Sequence, residues 1–292
     1  MDFPTTLEAY RNRIEASLSA ALPPPGSRPA RLHEAMHQSL EAGGKRLRPV
    51  LVLAAGALFP RRADPLPAAL AIELLHTYSL IHDDLPAMDD SDLRRGRPTL
   101  HKAYDEVTAI LAGDALLTEA FALLGREYLD TPEIGLRLVA ELGEAAGSRR
   151  LIGGQAEDTA AEDRQISAGD LDYIHLSKTA ALIEAACRMG LLCTTADESA
   201  LATLTDGARH LGLAFQILDD ILDVTSTEEA MGKTVGADAA NAKNTYVALH
   251  GLEASREAAR HHTDAALAAL ARLPADTSFL EELFRQLLQR KS

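Results

Sequence analysis

The 292-residue chain contains no tryptophan and only two cysteines, and aromatic residues make up 4% of it. Cys187 and Cys193 show neither metal-site nor redox spacing, which favours a reducing, cytoplasmic setting. The most apolar run, from Pro49 to Phe59, is too short to cross a bilayer. The N-terminus lacks the basic and apolar regions of a signal peptide. The sequence therefore predicts a protein without stable membrane insertion.

Basic residues are also scarce. Lys and Arg number 29 against 43 Asp and Glu, which gives a formal net charge of −14. Because nucleic acids and anionic membranes repel such a chain, neither is expected as a general partner. The basic clusters that do occur therefore require a local explanation.

The alternation of apolar and polar residues that marks a half-buried strand is missing, whereas helical periodicity recurs in almost every segment. The predicted helices span residues 7–22, 30–42, 48–59, 68–85, 105–126, 171–192, 201–224 and 253–273, with others starting near Thr131 and Ser278. The glycine pair 153–154 interrupts the pattern, and residues 155–170 and 228–244 are predicted to be largely loop. With no fixed-period repeat and no linker, we predict a single all-α domain over residues 1–292, a bundle of long, mostly antiparallel helices.

Five aspartates and three arginines crowd into the stretch from Leu80 to Arg97. Pro86 is expected to end the preceding helix, so Asp83, Asp84 and Asp89 gather near the negative end of its dipole. Two carboxylates about 4 Å apart repel by roughly 4 kcal/mol at an effective dielectric constant near 20, so a cation should offset them. Carboxylate oxygens suit Mg²⁺, which takes its other ligands from water and phosphate. If the chain had only this acidic cluster, a solvated acidic turn would be the alternative interpretation.

A second acidic cluster weakens that alternative. Asp219, Asp220 and Asp223 lie in a predicted helix, where Asp219 and Asp223 share one face and Gln216 lies a turn before them. Acidic residues beside apolar ones are rarely buried unless they are paired or bind metal. We therefore predict that the two acidic faces meet across one cavity and bind divalent ions.

A basic stretch, Gly43 to Pro49, places Lys45, Arg46 and Arg48 at a helix start behind two glycines. Free backbone N–H groups, the helix dipole and bidentate arginine all favour phosphate there, although a solvated basic turn is the alternative. His76 lies seven residues before Asp83, on a similar helical face. Phosphate-binding cations beside metal-binding carboxylates indicate a reaction in which diphosphate is bound or leaves.

In this order, the motifs resemble those of the short-chain trans-isoprenyl diphosphate synthases, most closely the bacterial farnesyl diphosphate synthases. The resemblance runs from about Gly43 to Tyr246, and the four-residue spacer between Asp84 and Asp89 resembles the bacterial type. It also includes the short motifs Arg94-Arg95-Gly96, Gly153-Gly154-Gln155, Lys178-Thr179 and Gly232-Lys233 through Lys243. The implied fold is an isoprenoid synthase bundle around a central cavity.

The resemblance implies roles for individual residues. The implied metal ligands, for three Mg²⁺ ions or alternatively Mn²⁺, are Asp83, Asp84, Asp89, Asp219, Asp220 and Asp223. Isopentenyl diphosphate would be bound without metal by Lys45, Arg48, His76 and Arg95. The allylic diphosphate would be bound by Arg94, Lys178, Lys233 and Lys243. Neutral dipoles would face the allylic carbocation from the Lys178 carbonyl, the Thr179 hydroxyl and the Gln216 amide.

In this family, an aromatic residue five positions before the first aspartate blocks elongation, and Tyr78, followed by Ser79, occupies that place. The implied activity condenses isopentenyl diphosphate with dimethylallyl and then geranyl diphosphate to give farnesyl diphosphate. A geranylgeranyl product is the alternative. The resemblance also implies a homodimer, with the apolar helix 108–124 as a candidate interface that could equally be core.

Three other interpretations compete with this one. A class I terpene cyclase also ionises prenyl diphosphates with Mg²⁺, but Asp223 and Thr227 fit its second motif poorly, and it leaves the cations from Lys45 to Arg48 unexplained. An acidic scaffold or ion buffer does not explain those cations either. A non-catalytic subunit of a heteromeric synthase is a further alternative, although both aspartate motifs are intact.

Overall fold

The computed structural model describes residues 2–162, 164–225 and 244–288. Regular structure in these ranges is almost entirely helical, which confirms the predicted all-α class. The chain forms two compact units, Met1–Ala140 with Leu192–Thr195, and Glu141–Leu191 with Ala196–Ser292.

The elements of the N-terminal part are α1 (Phe3–Leu18), α2 (Ala30–Leu40), α3 (Leu47–Ala55), α4 (Leu66–Asp83), β1 (Leu93–Arg94), β2 (Arg97–Pro98), α5 (Leu100–Ala103), α6 (Glu106–Glu127) and α7 (Pro132–Ala146). Those that follow are α8 (Leu151–Ala160), α9 (Ala168–Ile174), a π-helix (His175–Ala180), α10 (Ala181–Leu192), α11 (Glu198–Thr225), α12 (Tyr246–His250), α13 (Leu252–Ala271) and α14 (Ser278–Leu288).

In the first unit, α4 packs against α6 and α3. Proline in its first turn begins α4, and the helix ends at Asp83 with Asp84 as its C-cap. Helix α6 begins after Asp105, whose carboxylate accepts a hydrogen bond from the Thr108 backbone N–H at 2.7 Å. Most of α4 is buried, so its last turn presents the acidic motif from a rigid base.

In the second unit, α11 packs along α13 and against the π-helix. Small residues allow these close approaches: a Cβ atom at Gly207 would meet Ala269, and one at Gly212 would collide with Ala180. The second acidic motif therefore lies on a 28-residue helix, α11, that packs closely against both α13 and the π-helix.

Two local predictions were wrong, one was confirmed with a change of helix type, and one lies almost entirely outside the described residues. Residues 93–98 form an antiparallel hairpin whose two-residue strands are too short to show alternation. Gly153 and Gly154 lie inside α8, which also occupies much of the predicted loop 155–170. The predicted helix 171–192 is continuous but contains a π-helical turn. Of the predicted loop 228–244, only Asn244 lies within the described residues.

Candidate active site

The first acidic motif lies at the C-terminal end of α4, as predicted. After Asp84 the chain folds back over the helix end, where the Asp89 N–H donates to the Asp83 carbonyl at 2.9 Å and the Ser91 N–H to the Asp84 carbonyl at 3.2 Å. Asp83 is half-buried and Asp89 is exposed. This fold-back therefore holds Asp83, Asp84 and Asp89 beside backbone carbonyl groups at the C-terminal end of α4.

Asp84 forms an ion pair with an arginine of the following hairpin. Its buried carboxylate accepts hydrogen bonds from the Arg94 guanidinium, at 3.0 Å from Nε and 2.5 Å from Nη2. Burial alone would lower the pKa of Arg94, but this bond and the charge of Asp84 raise it above its ordinary value. Asp84 thus holds Arg94, a predicted diphosphate ligand, at the acidic motif.

A cationic cluster lies on α3 and α4. Arg48 Nη1 donates to Nε2 of His76 at 3.3 Å, which requires a neutral imidazole. Burial lowers the pKa of Arg48 to about 10, and burial together with Arg48 and Arg95 lowers the pKa of His76 well below its ordinary value. The buried Nε atom of Arg48 has no hydrogen-bond partner in the described part of the chain. An anion would relieve the mutual repulsion and accept from this donor.

The glycine pair explains how Arg95 reaches this cluster. Arg95, at φ +54°, donates from Nη1 to the Gly43 carbonyl. A Cβ atom on Gly44, whose φ is +137°, would lie 2.6 Å from Arg95 Cζ. Glycine is therefore required at position 44, because a side chain would be strained at this φ angle and would collide with the Arg95 guanidinium. Lys45 is exposed at the edge of the cluster.

Arg46 has a different role from its neighbours in the basic stretch. Its buried guanidinium forms ion pairs with Glu73 and Glu15, both at 2.7 Å, and donates to the Leu40 carbonyl at 2.7 Å. These contacts join α1, α2, α3 and α4. Grouping Arg46 with the phosphate-binding cations was therefore wrong, because its donors are used within the core.

Tyr78 is buried on α4, five positions before Asp83 at the acidic end of that helix. Its ring meets the edge of His82 with centroids 5.5 Å apart, and Gly113 on α6 leaves room for the His82 ring. Burial, then the charges of Asp83 and Asp114, raise the pKa of Tyr78, so the phenol stays neutral. Ser79 donates from its hydroxyl to the His76 carbonyl at 2.9 Å.

The second unit contains a cavity of about 110 Å³ beside the second acidic motif. Its polar lining consists of Asp158, His175, Lys178, Thr179, Gln216, Asp220, Asn244 and Thr245. The three predicted catalytic residues therefore lie together. Thr179 donates from Oγ1 to Gln216 Oε1 at 2.9 Å, and Gln216 Nε2 donates to Asp220 Oδ1 at 3.1 Å.

The carboxylates of the second motif are not equivalent. Asp220 is 3% exposed and accepts from Gln216 and, at 2.7 Å, from the Tyr246 backbone N–H. Asp219 is half-buried. Asp223 is buried, and its Oδ2 atom meets no hydrogen-bond donor within the described ranges. Asp220 thus fixes Gln216, whereas Asp223 has an oxygen available for an added ligand.

Sequence reasoning missed four polar residues of this cavity, Asn244 and Thr245 as well as Asp158 and His175. Asp158 pairs with Lys178 at 2.5 Å between Oδ2 and Nζ. His175 is buried with Nε2 3.7 Å from Asp220 Oδ2, and burial lowers its pKa to about 4. His175 precedes Lys178 by three positions, a helical spacing that could have identified it. Nothing in the spacing of Asp158 indicated its partner.

Among the described residues, no group of three or more His, Cys, Asp or Glu side chains is arranged to hold a metal ion alone. Clusters of carboxylate oxygens nonetheless fit Mg²⁺, which usually takes few protein ligands and completes its shell with water and substrate phosphate. Lys233 and Lys243 lie outside the described residues.

Comparison with known proteins gives consistent results. The pattern of the polyprenyl synthetase family matches residues 29–285. The chain is 46% identical over 300 residues to the farnesyl diphosphate synthase of Escherichia coli K12, covering 99% of both chains. It is 47% identical over 258 residues to geranylgeranyl pyrophosphate synthase 9 of Arabidopsis thaliana chloroplasts, covering 86% of this chain and 72% of that one. A geranyltransferase from Helicobacter pylori, solved with magnesium and isoprenyl diphosphate, superposes with a TM-score of 0.83 at 39% identity, covering 97% and 96% of the two chains.

Proposed function

Because the chain belongs to the polyprenyl synthetase family, we propose that it is a trans-prenyltransferase that makes farnesyl diphosphate. It joins isopentenyl diphosphate first to dimethylallyl and then to geranyl diphosphate, releasing diphosphate at each step. The observation that carries this proposal is the cluster of Arg48, Arg95 and the neutral His76, with the carboxylate motif farther along the same helix as His76.

The spacing along α4 supports two distinct diphosphate sites. His76 and Asp83 are seven residues apart, which corresponds to about 10 Å along a helix. The cationic cluster binds isopentenyl diphosphate without metal, with Lys45 at its exposed edge. The acidic end serves the allylic diphosphate, and Arg94 is held there by Asp84. Two sites at this separation place the two substrates side by side.

Bound Mg²⁺ would offset the negative charge that builds up on the departing diphosphate. Three ions are proposed, with Mn²⁺ as a possible substitute. The aspartates whose oxygens would ligate them are Asp83, Asp89, Asp219 and Asp223. Asp84 and Asp220, also predicted as ligands, serve the same sites by orienting Arg94 and Gln216.

The residues of the second cavity stabilise the allylic cation. The Lys178 carbonyl, the Thr179 hydroxyl and the Gln216 amide oxygen present dipoles without a nucleophilic charge that would trap the cation. The Lys178 ammonium, with Lys233 and Lys243 as predicted partners, binds the allylic diphosphate. The released diphosphate takes the final proton, so no side-chain base is required.

Product length is proposed to depend on Tyr78. Its neutral, buried ring lies one turn before Asp83 and rests against His82. An allylic tail running from the acidic motif along α4 would meet this ring, which favours the fifteen-carbon product. The geranylgeranyl synthase among the relatives keeps a twenty-carbon product as the second candidate.

A homodimer is proposed from the exposed face of α6. Among the described residues, α6 is the one helix long and apolar enough to cross a membrane by length and composition, and 44% of its apolar window is buried. Val107, Ile110 and Leu111 on this helix are 66%, 42% and 50% exposed. A second copy of the chain would cover this face. A cytoplasmic location stays a prediction.

Product analysis tests the proposed activity. The protein is incubated with Mg²⁺, isopentenyl diphosphate and, in turn, dimethylallyl, geranyl or farnesyl diphosphate, and the prenyl alcohols are separated after phosphatase treatment. Farnesol from the first two, with little extension of the third, is expected. Geranylgeraniol as the main product would support the second candidate. Hydrocarbon formed from farnesyl diphosphate alone would instead indicate a cyclase.

A further inference from the structure

The ion pair between Asp158 and Lys178 lies in the wall of the second cavity. Asp158 is on α8 and Lys178 is on the π-helix, and their side chains are 24% and 30% exposed. The Lys178 ammonium donates to the Asp158 carboxylate in a charge-assisted hydrogen bond. The backbone of the two elements is also in close contact, because a Cβ atom on Gly154 would collide with the Lys178 backbone nitrogen.

Lysine requires such a partner if it is to bind a diphosphate at a fixed point. Its ammonium is carried on a flexible four-carbon stem, and fixing that stem costs about 2 kcal/mol of rotamer entropy. An ammonium group has three donors. If Asp158 accepts from one donor, the stem is ordered before substrate arrives.

We infer that Asp158 is a positioning residue that holds the Lys178 ammonium ready for the allylic diphosphate. This inference rests on the proposed function, which assigns Lys178 to that diphosphate. Asp158 does not touch the reacting atoms, and its effect passes entirely through Lys178. The opposite role, a latch that competes with the diphosphate for Lys178, would have the opposite effect on substrate affinity.

A double-mutant cycle with Asp158→Asn and Lys178→Ala tests the inference. Steady-state kinetics are measured separately for geranyl and isopentenyl diphosphate, with folding checked by circular dichroism. Asp158→Asn should lower kcat/KM for geranyl diphosphate on the order of tenfold to a hundredfold, as loss of substrate positioning does. The KM for isopentenyl diphosphate should stay within about twofold of wild type, because a different set of residues is proposed to bind it. In the Lys178→Ala background, the same substitution should change kcat/KM by less than about twofold.

Glu157→Gln provides a matched control, since it removes the same charge from an exposed position next along α8. It should behave like wild type. If Asp158→Asn is too unstable to study, Asp158→Glu replaces it in the same cycle, because its longer carboxylate would displace the ammonium.

Three results would overturn the inference: an unchanged kcat/KM in Asp158→Asn, a lower KM for geranyl diphosphate, or an equal effect of the Asp158 substitution with and without Lys178. A different result would count against the proposed function instead. If Lys178→Ala itself turned over like wild type, Lys178 would have no role in binding the allylic diphosphate.

Discussion

At the scale of single residues, Arg46 and Arg48 show how two neighbouring arginines acquire different roles. Arg46 faces two carboxylates in the core, whereas Arg48 faces a neutral imidazole. Replacing Arg46 by Met would leave the Glu73 carboxylate buried without its cation. We expect this to lower the free energy of unfolding by about 3–5 kcal/mol, measured by urea denaturation.

The control for Arg46 is Arg256, which pairs at 2.6 Å with Glu253 on the exposed surface of α13. Arg256→Met should cost less than about 1 kcal/mol, because solvent screens an exposed pair. Similar losses in the two variants would mean that the buried pair contributes no more than a surface one.

The metal-ligand assignment makes a separate prediction for each motif. Asp83→Ala and Asp219→Ala should each reduce condensation to near background, because charge on the departing diphosphate would lose its compensation. Their helical circular dichroism should match that of wild type, since both side chains are only half-buried. Turnover near the wild-type rate in either variant would reject the role of that aspartate.

Replacing Tyr78 is predicted to change the length of the product. Tyr78→Ala removes the buried ring beside His82, so the growing chain should extend past this point and the products should shift from fifteen to twenty or more carbons. Chromatography of the prenyl alcohols gives the result. Tyr78→Phe, which keeps the ring, should retain the wild-type product. An unchanged distribution in Tyr78→Ala would mean that another group limits the chain.

At the scale of elements, much of the fold could be predicted from the sequence because long amphipathic helices show their period directly. Helix α4 and its acidic end are examples. The helical period does not explain why Gly153 and Gly154 lie inside α8. A Cβ atom on Gly153 would collide with the Ser148 backbone, and one on Gly154 would collide with the Lys178 backbone. The pairing of Asp158 with Lys178 was also hidden, because twenty residues of chain separate the two side chains. Motif resemblance predicted binding groups but not the pairing of Asp158 with Lys178.

A pair of histidines between α11 and α13 makes the free energy of unfolding depend on pH. His210 and His262 approach with their Nδ1 atoms 2.8 Å apart, so one ring must donate and the other accept. Burial, then His210 and His261, lower the pKa of His262 to about 4, and burial lowers that of His210 despite the charge of Asp206. The unfolded chain takes up protons near pH 6.5, before the folded one does. The neutral pair therefore stabilises the protein above pH 6.5, and this contribution is lost as the pH falls towards about 4.

We expect His262→Asn to reduce this acid sensitivity, because asparagine can hydrogen-bond to His210 without titrating. Thermal unfolding is compared at pH 7 and pH 5. The wild type should lose more of its Tm on acidification than His262→Asn does. His250→Asn, at an exposed position, should lose as much as the wild type. Equal losses in all three proteins would exclude the pair as the source.

At the scale of the whole molecule, the exposed apolar face of α6 is the proposed interface of a homodimer. Val107→Glu combined with Ile110→Glu should convert a dimer to a monomer, because burying two carboxylates in an apolar interface is costly. Light scattering coupled to size exclusion gives the mass. Glu106→Gln, an exposed change in the same turn, should leave the dimer intact. A monomeric wild type would reject the proposal outright.

The net charge of −14 gives the cationic cluster a further consequence. At physiological ionic strength a surface field fades over about 8 Å, so an approaching anion responds mainly to the nearest charges. A small diphosphate can fit wholly within the reach of Arg48 and Arg95. A long polyanion such as RNA would meet repulsion along most of its length, since few of its phosphates could contact these two side chains at once. The charge distribution therefore acts as a size filter, which admits compact anions and excludes extended ones.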